Sequence, residues 1–205
     1  MLRSSPRVKT LLIGTKNEHK LRELRDILLR IPLLLQPLPG AVPEVVEDAP
    51  TLEGNAVLKA CGYAKATGQL CLAEDTGLEV DALNGAPGVH TARYAGPDAD
   101  AAANRRKLLA ALDGVPLARR AARFRCVAAL ARPSGELIAT AEGVLEGRIA
   151  PAERGQGGFG YDPLFLPTGP YDERTLAELS DDEKNAISHR FRAVAALRPK
   201  LLESI

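Results

Sequence analysis

The chain has 205 residues, 45% of them hydrophobic and 26% charged, with a mean hydropathy of -0.09, so it can bury one sizeable core. Its 27 basic and 26 acidic side chains leave a formal net charge of +1, and four Phe, four Tyr and no Trp offer little to stack along a strand, which excludes a general binder of nucleic-acid polymers. No apolar run approaches the roughly 20 residues needed to cross a bilayer, so a membrane partner is excluded and any nucleotide ligand should be a small one.

Met1 to Pro6 carries basic residues but neither an apolar segment nor a small-residue cleavage site, so the expected compartment is the cytoplasm. Val8 to Gly14 reads as an apolar strand, Thr15 to Lys20 as a polar turn, and Leu21, Leu24 and Leu28 recur at helical spacing. Pro32, Pro37, Pro39, Gly40 and Pro43 then break the chain before Thr51, which can cap a helix carrying Ala56, Ala60 and Tyr63. The next apolar run, from Leu70, ends in the adjacent carboxylates Glu74 and Asp75 and in a Thr76-Gly77 turn. Such a run reads as a buried strand, and ligands of α/β proteins sit just beyond the carboxyl ends of such strands. Asp75 is therefore where the chemistry is expected, because a carboxylate beside a low-dielectric core is costly unless it binds a cation or moves protons.

Beyond Asn84-Gly85-Ala86-Pro87-Gly88, an Ala-rich helix is expected from about Asp100 to Leu112. Phe124, Cys126, Ala128 and Leu130 alternate as in a half-buried strand, whose solvated face carries Arg123 and Arg125 in continuation of the Arg119-Arg120 cluster. Pro133-Ser134-Gly135 turns the chain into a second strand from Leu137 to Val144. Alternating strands and helices followed by this antiparallel insert predict an α/β fold with a mixed sheet. Without a repeat or flexible linker, residues 1–205 read as a single domain. Cys61, Cys71 and Cys126 are odd in number and lack a C-x-x-C pair, so they read as reduced core thiols.

Polar islands interrupt this pattern. Gly14 to Lys20 lies between strand and helix, where free N–H groups and the helix dipole favour phosphate; alone it would also serve as a capped helix start. It is no P-loop, since His19 stands where the second glycine is required. Pro43 to Asp48 is acidic and could lend Asp75 a second carboxylate for magnesium, which prefers a few carboxylates plus phosphate oxygens and water. On the residues alone, Glu44, Glu47 and Glu74 all remain open as that partner. His19, His90 and His189 have no metal-ligand spacing, which disfavours zinc. Gly155 to Gly160 contains a formal G-x-G-x-x-G match, but Tyr161-Asp162-Pro163 prevents the helix that a dinucleotide fingerprint must open. Its glycines instead allow close approach to a flat ligand, with Phe159 available to stack on a base or to fill a core. Ser180 and Glu183 form a capping-box pattern ahead of Lys184, His189 and Arg190, which concentrate donors suited to oxygen acceptors but on the residues alone read equally as a charged helix end. Ser188 and His189 are sequence neighbours whose side chains diverge, so they make no nucleophile pair.

In this order, from Thr15 to about Ala196, the islands resemble the Ham1/RdgB family of noncanonical purine nucleoside triphosphate pyrophosphatases, also called inosine triphosphate pyrophosphatases. The most specific pieces are Asp75-Thr76-Gly77-Leu78 with Gly85-Ala86-Pro87-Gly88, then Gly158-Phe159-Gly160-Tyr161-Asp162-Pro163, then Glu183-Lys184-Asn185 with Ser188-His189-Arg190. The resemblance implies an elongated α/β fold, with a long mixed β-sheet flanked by helices that form two lobes around a central cleft, and a homodimer. It implies Mg2+-dependent hydrolysis of ITP, dITP and XTP to the nucleoside monophosphate and pyrophosphate, which removes these purines from the nucleotide pool.

Carried over by position, Thr15, Lys16, Asn17, Glu18, His19 and Lys20 would bind the phosphate end. Asp75 would be the acid-base and metal residue, with Thr76 beside it at the substrate. Lys59 matches the family's lysine in the helix before the strand, and counting back from it places the second metal carboxylate on Glu47. Phe159, Gly160, Tyr161, Asp162, Lys184, His189 and Arg190 would contact base and ribose. The chain departs from the family at Gly54, where a glutamate is common and Glu53 stands one place early, at His90-Thr91 in place of Tyr-Ser, and at Phe191 in place of Gly. The implied substrate is physically coherent. Deamination replaces a 6-amino donor with a 6-oxo acceptor, which Lys184, His189 or Arg190 can reward while an amino group would leave them unpaired.

Overall fold

The computed structural model describes residues 9–29 and 31–205; Val8 and the Met1 to Pro6 segment lie outside them. A seven-stranded mixed sheet runs in the order β2 (Leu34–Pro37), β1 (Thr10–Ile13), β3 (Cys71–Val80), β5 (Ala121–Ala131), β6 (Leu137–Ile149), β7 (Phe165–Pro167), with β4 (Pro87–Gly88) paired to β3. β1, β2 and β3 are parallel, and the remaining pairings are antiparallel. The proline-rich break thus contains a strand that periodicity did not reveal: β2 sits at the sheet edge, where Pro37 leaves no central ladder bond unmade.

Helices α1 (Glu18–Leu28) and α5 (His189–Glu203) cover one face, where Leu21, Leu24 and Leu28 meet Leu72, Cys126, Val194 and Leu197. α2 (Leu52–Thr67) covers the other, with Ala56, Ala60 and Tyr63 against Cys71, Ala73 and Val127. Burying one such Leu contributes about 1.5–3 kcal/mol. α3 (Ala101–Ala111) packs in a third apolar cluster with Leu78, Phe124 and Phe165. Its cap is Asp100, and Thr51 caps α2, as expected. Arg123 and Arg125 lie on the solvated side of β5 in ion pairs with Glu79, Asp81, Glu142 and Glu146. Arg120 departs from that cluster: it is buried and donates to the carbonyls of Leu112 and Val115, closing the chain after α3.

Three boundaries differ from expectation. Glu18, His19 and Lys20 form the first turn of α1 rather than the preceding loop, because the Asn17 side chain accepts the N–H groups of His19 (3.0 Å) and Lys20 (3.2 Å) and starts the helix there. The strand through Glu74 and Asp75 does not end at Asp75. It continues through Thr76 and Gly77 to Val80, because β5 pairs with it along its whole length, from Ala131 opposite Cys71 to Ala122 opposite Val80. What ends is its neighbour: β1 pairs only as far as Leu72, and β4 takes over at Leu78. Between those points, among the described residues, one edge of β3 has no strand beside it, and a cleft opens there. Likewise β6 runs beyond Val144 to Ile149, since β5 and then β7 supply partners. Among the described residues no helix is long and apolar enough to cross a membrane.

Candidate active site

A cavity of about 500 Å³ lies over the open edge of β3. Residues 14–17, 19 and 20 form one part of its wall, Asp75, Thr76, Glu47 and Lys59 its floor, and residues 159–162 with Lys184, His189 and Arg190 a further wall. Of the expected site residues only Glu18 does not line it, being exposed on the first turn of α1.

Because side chains alternate along a strand, Glu74 and Asp75 face opposite sides of the sheet. Asp75 turns toward α2. Lys59 Nζ donates to Asp75 Oδ1 at 2.9 Å and to Glu47 Oε2 at 2.6 Å, and Asn55 Nδ2 donates to Asp75 Oδ2 at 3.3 Å. Burial pushes the Asp75 carboxyl above its ordinary 3.8, and the ammonium of Lys59 only partly offsets it. Lys59 keeps its proton: burial works against the charge, but Asp75, Glu74 and Glu47 outweigh it. Glu44 is further out, exposed and 3.8 Å from Lys16.

Glu74 turns toward α1 and α5 and is wholly buried. Arg190 donates to Glu74 Oε1 through Nε at 3.1 Å and Nη2 at 3.0 Å, Lys20 Nζ lies 3.2 Å from the same oxygen, and Thr76 Oγ1 donates to Oε2 at 2.7 Å. Burial alone would raise its pKa, yet Arg190, Lys20 and Lys59 together hold the carboxyl well below the ordinary range. Its oxygens are fully engaged in orienting cations, and it stands on the face away from Glu47.

α5 reaches β3 because Ser188 caps it, accepting the Phe191 N–H at 3.0 Å, and because β6 carries Gly143 where it passes beneath. A Cβ at that position would overlap the His189 carbonyl and the Ala193 nitrogen. Arg190 also donates to Glu23 Oε2, and Lys184 Nζ donates to Glu23 Oε1 at 2.6 Å and Asp162 Oδ2 at 2.7 Å. Lys184 stays charged: desolvation is outweighed by Asp162 and Glu23. His189 is held neutral by burial and by the Arg190 charge; it stacks on Phe124 at 4.8 Å, and its Nδ1 has no partner among the described residues. The 155–160 loop is kept open by Gly158 at φ +67°, where a side chain would collide with Asp162, whose Oδ2 instead accepts the Phe159 N–H at 2.8 Å. Phe159 has Lys184 4.8 Å and Arg190 5.7 Å from its ring centre.

His19 lines the cavity with Thr15 to Asn17 and Lys20, and its ring also stacks on Phe159 at 5.1 Å and 14°. Sequence reasoning missed Asn55 and Glu23 altogether. Both were detectable by spacing: Asn55 is one helical turn before Lys59, and Glu23 three residues after Lys20, so each shares a face with a residue already singled out. Cys71 and Cys126 are unbridged, and burial pushes both thiols up to about 12, so they stay protonated and inert.

The model of the Ham1 family matches residues 11–200. A dITP/XTP pyrophosphatase of Syntrophobacter fumaroxidans is 53% identical over 192 residues, covering 92% of this chain and 80% of that protein. One from Elusimicrobium minutum is 50% identical, covering 93% and 98%. Among solved structures, a HAM1 protein from Coxiella burnetii superposes with a TM-score of 0.84 at 40% identity, over 96% of this chain and 100% of that one. A nucleoside-triphosphatase / dITP/XTP pyrophosphatase from Mycobacterium abscessus gives 0.71 at 46% identity, over 93% and 99%.

Proposed function

The chain belongs to the Ham1 family, and on that premise we propose that it is a nucleoside-triphosphate pyrophosphatase that hydrolyses deaminated purine nucleotides, dITP, ITP and XTP, to the monophosphate and pyrophosphate. The observation that carries this reading is the pair of carboxylates, Asp75 and Glu47, converging on one ammonium beside a cavity with an aromatic ring and clustered cations. Two carboxylates that already share one cation are a donor set suited to a hard divalent ion, so Asp75 and Glu47 would hold Mg2+. When bound, the ion neutralises charge on the triphosphate.

The chain's own groups do the rest. Thr15, Lys16, Asn17 and Lys20 receive phosphate oxygens at the start of α1. Asp75, held by Lys59 and Asn55 at the open edge of β3, would take a proton from water as that water's oxygen bonds to the α-phosphorus. The bond from the α-phosphorus to the bridging oxygen breaks, and pyrophosphate leaves with its electron pair. Lys59 keeps Asp75 and Glu47 apart from each other's charge, and Asn55 fixes the Asp75 rotamer. At the other end the purine stacks on Phe159, and Lys184, His189 and Arg190 present donors to a 6-oxo group. Glu23, Glu74 and Asp162 hold those cations in place. This reading also carries a cytoplasmic homodimer of single-domain, two-lobed subunits.

Incubating the protein with dITP and Mg2+ and separating the products tests it: deoxyinosine monophosphate and pyrophosphate are expected together. Asp75→Asn should fold normally yet release neither. Orthophosphate as the first product would contradict the proposal.

A further inference from the structure

The cavity has one cation that the reaction described above does not use. Arg93 lines it from the 89–93 segment and is exposed. Every other Lys or Arg on its wall has a carboxylate: Lys16 has Glu44, Lys20 has Glu74, Lys59 has Glu47 and Asp75, Lys184 has Glu23 and Asp162, and Arg190 has Glu23 and Glu74. Among the described residues, Arg93 pairs with none.

The backbone around Arg93 is nevertheless braced on all sides by side chains. Thr91 Oγ1 donates to the Gly88 carbonyl at 2.5 Å and accepts the Leu78 N–H at 2.8 Å, and Tyr161 donates to the Thr91 carbonyl at 3.0 Å. From α3, Asn104 grips the turn on both sides of Arg93, donating to the Ala92 carbonyl at 3.0 Å and accepting the Ala95 N–H at 2.7 Å. Lys107 donates to the Tyr94 carbonyl at 2.6 Å. A surface turn pinned this thoroughly, carrying an unpaired guanidinium into a cavity, is preorganised for an anion. The remaining wall cations are partly neutralised by their carboxylates, whereas a nucleoside triphosphate brings about four negative charges.

We infer that Arg93 is an anion-binding residue of this site, donating to phosphate oxygens of the bound nucleoside triphosphate. The inference rests on the reading of the cavity as a triphosphate site. The Arg93 guanidinium can donate to two phosphate oxygens at once, whereas a lysine in its place would act only as a point charge.

The test measures steady-state hydrolysis of dITP by the wild type, Arg93→Gln and Arg93→Lys, together with inhibition by inorganic tripolyphosphate and by inosine. Arg93→Gln should raise KM for dITP and the inhibition constant of tripolyphosphate by about 10-fold each, leave that of inosine unchanged, and melt at the wild-type temperature; Arg93→Lys should fall between. Unchanged dITP and tripolyphosphate constants overturn the inference, as does inosine weakening as much as tripolyphosphate, which would place the residue at the base or in the scaffold. A wild type that yields no pyrophosphate from dITP would instead undo the underlying reading, and calorimetric binding of tripolyphosphate to wild type and variant would still decide the role of Arg93.

Discussion

The Glu74 carboxylate is surrounded by Arg190, Lys20 and Thr76, and Glu23 by Arg190 and Lys184, so the cavity's cations are built on a buried layer of carboxylates. The layer has a consequence for acid stability. Burial works to raise both carboxyls, but the guanidinium of Arg190 with its neighbouring ammoniums holds each folded value below the ordinary 4.5. The folded protein therefore binds fewer protons here than the unfolded chain, and the stabilisation is complete above pH 4.5. Urea midpoints should begin to fall as pH drops through 4.5 and keep falling until the depressed folded values are reached. In Glu74→Gln that acid-limb slope should be shallower; an unchanged slope would show that Glu74 is not held ionised. Residue identity alone marked Asp75, Lys184 and Arg190 as candidates, but not this layer, because a carboxylate's partners come from elements far apart in sequence.

At the scale of elements, the site depends on one close crossing, α5 over β6 at Gly143. An alanine there would drive its methyl into the His189 carbonyl and the Ala193 nitrogen, so α5 must move away from β5 and carry Arg190 from Glu74. Gly143→Ala is expected to lose about 1–3 kcal/mol of stability, the usual cost of overpacking, with the urea m-value unchanged. Its activity should drop further than its stability. Three helix starts were legible in the sequence, at Thr51, Asp100 and Ser180, whereas Asn17 sat in what read as a turn and Ser188 gave no helix signal, although both cap helices. The strand ends were not legible. Thr76-Gly77 has turn residues, yet β5 supplies a ladder through them, and pairing between distant segments overrides a local signal. The edge strand β2 was hidden for the opposite reason, its prolines reading as breaks.

For the whole molecule, the sheet's change of partners makes the cleft: β1 stops at Leu72, β4 begins at Leu78, and Asp75 is presented between them at an open edge. The expected strand end thus coincides with the cavity, but the strand that stops there is β1 and not β3. Around that gap α1, α2, α4 (Asp181–Ile187) and α5 each contribute a cation paired with a carboxylate to the wall. Lys184 and Arg190 are held by carboxylates and carry donors but no acceptor, so neither can pair with a 6-amino group, and leaving such groups mismatched is costly. The measurement that bears most directly on this is kcat/KM, by pyrophosphate release, for dITP, XTP, dATP and dGTP. We expect dITP and XTP to exceed dATP by at least about 10³, the discrimination available to a site whose polar groups go unpaired, and dGTP by about 10² through shape. Equal values for dITP and dATP would contradict selection of the 6-oxo purine by Lys184, His189 and Arg190.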